Sequence, residues 1–195
     1  MQSAEDLPLP EAARERLLDI AVDAIEAGLR QGHPSPASLA ADIRILQAMR
    51  ASFVTLHRGG ALRGCVGSLV ARRALLDDVA HNAFGAAFRD PRFTPLRAAE
   101  RDHLDIEISV LSPTEPVNFC DRTDLIARLR PGVDGVVVKW AERQATFLPA
   151  VWHALPDAGV FLDRLCSKAG IPVTVPLQQV TVERYTVESF ERAGA

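Results

Sequence analysis

Aromatic residues are scarce in this chain: eight Phe, two Trp and one Tyr make up 6% of 195 residues, so Leu, Val, Ile and Ala must fill the core. Cysteine is scarcer still. Cys65, Cys120 and Cys166 are odd in number and form no CxxC pair. That speaks against a disulfide framework or a zinc cluster and leads us to expect reduced thiols in a cytoplasmic compartment. No apolar run approaches the ~18 residues of a membrane span, so no membrane association is expected. The start, MQSAEDLPLPEAARERLL, has no basic stretch followed by an apolar one, and no signal peptide is expected. GxSxG, P-loop, HExxH and dinucleotide-binding signatures do not occur. The five histidines (His33, His57, His81, His103 and His153) show no ligand spacing, so the expectation is no metal and no cofactor.

What remains is an ordinary globular composition, 48% hydrophobic and 24% charged with net charge −3. A chain of this length buries roughly 70% of its unfolded surface and is read as a single domain over residues 1–195. The charge is uneven. Nine Arg face four acids between Arg50 and Arg101, a positive segment inside an acidic chain. It suits a small anionic ligand, or simply a set of solvated helix faces. A pI near 6.0 and the lack of interleaved aromatic and basic residues argue against nucleic acid as a partner.

Leu18, Val22, Ile25 and Leu29 recur at helical spacing, which predicts a helix from Pro10 to Leu29, stopped by Gly28 and the following GHPSP. A second helix is predicted from Ser38, as N-cap, to about Arg50. Two β-rich runs, Phe53–His57 and Leu62–Leu69, flank Arg58-Gly59-Gly60 and predict a hairpin. A long helix follows over Arg73–Phe88 and ends at Asp90-Pro91. Leu104–Val110 alternates apolar and polar residues as a half-buried strand does. Beyond it the pattern predicts a helix over Asp121–Leu129 and a hairpin of Gly135–Lys139 with Gln144–Leu148. A helix over Asp157–Ala169 and a strand over Gln179–Val187 complete it. Strands in hairpins rather than regular βαβ units point to an α+β fold.

The most informative stretch is Arg63-Gly64-Cys65-Val66-Gly67. Glycine inside a strand weakens it and marks a bulge or a close approach of backbone. Strand alternation puts Arg63 and Cys65 on one face, where a guanidinium would favour a thiolate. Gly64 and Gly67 would let a ligand come near. Cys65 is therefore either a reactive or ligand-contacting thiol or a small residue filling a tight core. In Asp90-Pro91-Arg92-Phe93, Asp90 could handle a proton and Arg92 could clamp an anion, or the two pair with each other. Glu107, on the polar side of its strand, is a partnered buried carboxylate if that side is covered and an ordinary surface group if it is wet.

Five blocks carry a family resemblance. LRGCVGSL (Leu62–Leu69) resembles the LRGCIG-type signature of the AMMECR-type domain family, whose prokaryotic members are called AmmeMemoRadiSam system protein A. AAFRDPRFTPL, LDIEISVLSPTEPV, GVVVKWAERQATFLPAVW and FLDRLCSKAGI resemble further blocks of the same family, in order, over about residues 53–191. The resemblance implies an antiparallel sheet flanked by helices, in a larger and a smaller lobe with a cleft between them. Family motif positions fall on Arg63, Gly64, Cys65, Gly67, Asp90, Arg92, Glu107 and Ser109. The implied partners are a Memo-like protein and a radical S-adenosylmethionine protein; no reaction is implied.

Two functional readings follow. In the first, Cys65, Asp90 and Glu107 are candidate catalytic residues, and Arg63, Gly64, Gly67, Arg92 and Ser109 bind the ligand. In the second, the domain is a non-catalytic interaction scaffold and the glycine-rich signature is architectural.

Overall fold

The computed structural model describes residues 8–33 and 44–194, which form two compact units. The first comprises the chain up to Ser112 together with Glu188 onwards; the second is Pro113–Val187. Helix α1 (Glu11–Gln31) begins after Pro10 and runs past Gly28 to a left-handed Gly32, whose N–H bonds Gly28 O. The expected stop at Gly28 is corrected for a packing reason. A Cβ there would lie 2.2 Å from the Phe88 ring, so Gly28 lets a second helix approach and does not end the first. The cap proposed at Ser38 lies outside the described residues. The rest of that predicted helix is a single 3-10 turn, Arg44–Gln47, because Met49 is drawn into an antiparallel bridge with Ala74.

Strands β1 (Ser52–Arg58) and β2 (Ala61–Gly67) form the expected hairpin. Gly59 and Gly60 both have positive φ, 57° and 76°, as a type I′ turn requires. Helix α2 (Leu75–Phe88) follows, then a 3-10 turn (Ala98–His103) and β3 (Leu104–Leu111). The second unit begins with a two-residue strand, β4 (Glu115–Pro116), and α3 (Arg122–Arg128), capped by Asp121. The β5 (Gly135–Trp140) and β6 (Arg143–Phe147) hairpin comes next, with α4 (Ala158–Lys168), capped by Asp157, after it. The strand expected over Gln179–Val187 is β7 (Thr181–Tyr185), and a further strand, β8 (Val187–Arg192), follows beyond its expected end.

Among the described residues the strands make two antiparallel-paired sheets in an α+β fold, ordered β2-β1-β3-β8 in the first unit and β4-β7-β5-β6 in the second. In the first unit α1 and α2 pack on one face of the sheet, over Val54, Leu56, Ile106, Ile108 and Val110. The alternate residues Phe53, Thr55, Glu107 and Ser109 are half-buried on the opposite face. In the second unit Trp152 stacks on the fully buried Phe161, ring centroids 3.7 Å apart, and its indole N–H donates to Asp134 O. No described helix is long and apolar enough to cross a membrane.

Candidate functional site

The signature forms edge strand β2, and the loop after α2 closes its open edge. Asp90 accepts the Cys65 N–H at 2.9 Å, while Arg92 Nη2 reaches Cys65 O at 3.4 Å. Both backbone polar groups of Cys65 therefore bond away from β1. The Thr55–Cys65 pair is thus of the non-hydrogen-bonded kind, in which opposing side chains come closest. Thr55 Oγ1 donates to Cys65 Sγ at 3.4 Å. Thr55 is also paired with Glu107 on its other side, so Cys65, Thr55 and Glu107 form one row across the sheet face turned away from the helices. Ser109 lies two positions along the same face, its hydroxyl 2.8 Å from that of Ser189. Cys65 is half-buried.

Asp90 and Arg92 pair with each other as well as with Cys65. Asp90 is buried and takes both Arg92 Nε and Nη2, at 3.0 and 2.7 Å, and the Arg92 backbone N–H. The Arg92 guanidinium holds the Asp90 carboxyl far below the usual carboxylate range, against the opposing effect of burial; the two backbone N–H groups lower it further. A carboxylate so fully occupied is a fixed anion that positions the strand. Arg92 remains 55% exposed, and its pKa is raised first by Asp90 and also by Cys65, making it a cation beside the thiol.

Arg63 does not join this group. The hairpin register slips between Leu56 and His57, leaving Arg63 as an extra residue on β2 that interrupts the simple alternation placing it beside Cys65. Its guanidinium instead grips Glu100, with Nε at 2.9 Å, and donates to Thr94 O. Arg63 brings the Glu100 carboxyl down to about 2. The Phe93 ring lies within cation–π range of both Arg63 and Arg92.

The space left by the two glycines is taken by the protein itself. A Cβ on Gly64 would meet Ala86 O of α2 at 2.1 Å, and one on Gly67 would meet the Phe53 ring at 2.2 Å and Ser52 O at 2.6 Å. The glycines let α2 and β1 close on β2. Thr55 and Glu100 were not singled out from the sequence; the register of the Gly59-Gly60 hairpin is the signal that puts Thr55 opposite Cys65. Among the described residues no cluster of three or more His, Cys, Asp or Glu is arranged to hold a metal.

The AMMECR1 family matches residues 18–190, and the chain belongs to that family. It is 37% identical over 154 residues to a protein of Methanothermobacter thermautotrophicus, covering 77% of this chain and 79% of that one. A Thermotoga maritima protein is 33% identical over 170 residues, 85% of this chain and 94% of its own. The crystal structure of the uncharacterized protein PH0010 from Pyrococcus horikoshii superposes with a TM-score of 0.78 at 30% identity, covering 94% and 93% of the two chains.

Proposed function

We propose that this AMMECR1-family protein is a ligand-binding, thiol-dependent component whose site centres on Cys65. The observation that carries the reading is the treatment of that residue. Asp90 and Arg92 clamp both its peptide groups, the Thr55 hydroxyl points at its sulfur, and the residue stays half-buried on the face away from the helices. A residue that merely filled space would not need its backbone held from one side and its sulfur addressed from the other. Arg92, half-exposed beside the thiol, favours a small anionic ligand. Glu107 and Ser109 extend the same face and would contact its remainder. Asp90 serves as a positioning residue. The partners would be Memo-like and radical S-adenosylmethionine proteins, on the strength of the family resemblance, in a compartment that keeps all three cysteines reduced.

The test is thiol reactivity. Burial pushes the Cys166 thiol up, and Cys120 has the Asp124 carboxylate close by. In chains retaining one cysteine each, a mild alkylating agent near neutral pH should modify Cys65 faster than Cys120 or Cys166. Equal or slower modification would remove the reading.

A second reading is supported by the packing of Gly64 against Ala86 and Gly67 against Phe53: a non-catalytic interaction scaffold whose signature is architectural. It expects the Cys65→Ser chain to bind a purified Memo-like partner as well as the native chain does.

A further inference from the structure

A cavity of about 200 Å³ opens in the first unit on the helix side of the sheet, the face opposite Cys65. Val22 and Ile25 of α1 and Leu104 and Ile106 of β3 give it an apolar lining, and Arg101 and Arg192 stand among its polar groups. Both arginines are tied to α1: Arg101 pairs with Glu26, and Arg192 Nη1 with Asp19 Oδ1 at 2.8 Å. Asp19 and Glu26 are about two turns apart on α1, with Val22 and Ile25 between them. The helix thus presents acid, aliphatic, aliphatic, acid in one stripe, and each acid secures one arginine at the cavity.

Arg192 keeps spare donors. A guanidinium carries five N–H groups, and the bond from Arg192 to Asp19 uses only Nη1. Arg101 is already shared between Glu26 and Asp102, so Arg192 is the cation at the cavity with an unused edge. The Arg192 side chain is 40% exposed, so an anion meeting it keeps part of its hydration and avoids the cost of charge burial. An apolar cavity of ~150 Å³ holds a benzene-sized molecule, so this one suits a body a little larger.

We infer that this cavity binds a small carboxylate of about eight non-hydrogen atoms in all, with a compact branched or cyclic apolar body. The body lies on Val22, Ile25, Leu104 and Ile106. The carboxylate takes the free edge of Arg192. This site is independent of Cys65 and of the function proposed for it.

The probe is 4-methylpentanoate, titrated into the full chain while methyl NMR signals of Val22, Ile25 and Ile106 are followed. Saturable shifts confined to these groups are expected, with a dissociation constant on the order of 1 mM. The uncharged 4-methylpentanamide, and the acid with Arg192→Gln, should each bind roughly tenfold more weakly. Val22→Phe, which fills the cavity, should abolish the shifts while leaving the remaining spectrum intact. Prior alkylation of Cys65 should leave the titration unchanged, which separates this site from the other. Equal binding of acid and amide by the native chain, or no shift at tenfold that concentration, would overturn the inference without relying on any variant.

Discussion

Asp90 holds the backbone N–H of Cys65 at 2.9 Å across twenty-five residues of sequence, and the same carboxylate carries Arg92 on its other side. One buried side chain therefore anchors the loop after α2, closes the edge of β2 and fixes the height of the cysteine in the sheet. An open edge strand offers unpaired backbone groups to other chains, and this loop covers them where the thiol sits. Replacing Asp90 by Ala leaves the Cys65 N–H without its acceptor, and is expected to cost about 1–3 kcal/mol. Urea unfolding would measure the loss. Hydrogen exchange at the Cys65 amide should accelerate by more than the global change, because the opening is local.

Gly64→Ala tests whether the signature glycine is held by packing. The new Cβ would sit 2.1 Å from Ala86 O, a backbone atom of α2 that has no rotamer to yield. Overpacking of this kind costs roughly 1–3 kcal/mol, and the upper end is expected here. Gly59→Ala is the comparison. Gly59 has open space around it and only a positive φ of 57° to resist substitution, so about 1 kcal/mol is expected. Denaturant midpoints of the two variants should fall in that order, and the reverse order would deny Gly64 its packing role.

How far these features could be read in advance depends on how local their causes are. The Gly59-Gly60 turn was legible because two consecutive positive-φ positions are a property of glycine itself. The alternation from Leu104 to Val110 was legible because one covered sheet face imposes a period of two. Gly64 was legible as unusual, but its occupant, the carbonyl of Ala86, arrives from another element. Arg63 was misdirected because alternation assumes an unbroken ladder, and the extra residue on β2 breaks it. Glu100, which then captures Arg63, belongs to a turn with no motif of its own. β8 was not legible because VESFER lacks apolar alternation and pairs in the other sheet from β7. From Arg44 onward the helix predicted to Arg50 gives way to a 3-10 turn because Met49 and Ala74 bridge, a pairing no local pattern encodes.

The Arg63–Glu100 pair makes an acid-range prediction with a definite sign. Arg63 lowers the Glu100 carboxyl from 4.5 to about 2 in the folded chain. A carboxyl depressed on folding contributes stability that is complete above its unfolded value, here 4.5, and is lost as pH falls through the folded value, near 2. The stability difference between the native chain and Glu100→Gln should therefore be constant above about pH 5 and shrink steadily toward pH 2. Urea midpoints measured across that range would show it. A difference that grew on acidification would have the wrong sign for this ion pair.

Thr55 is the sharpest test of the Cys65 site, because its role is confined to one hydrogen bond. Its hydroxyl donates to Sγ at 3.4 Å from the neighbouring strand, in the non-hydrogen-bonded pair where side chains approach most closely. A donor aimed at sulfur favours the thiolate over the thiol, since only the anion gains fully from the bond. Thr55→Val keeps the β-branched shape and strand propensity while removing the donor, so the fold should be nearly undisturbed. Loss of a hydrogen bond worth about 1 kcal/mol should slow alkylation of Cys65 near neutral pH several-fold. Thr55→Ser restores the donor and should restore most of the rate. A Thr55→Val chain that reacts at the native rate would show the hydroxyl to be only a packing neighbour. Arg92 would then be the group beside Cys65 still able to favour its anion, and Arg92→Gln would have to carry the whole effect.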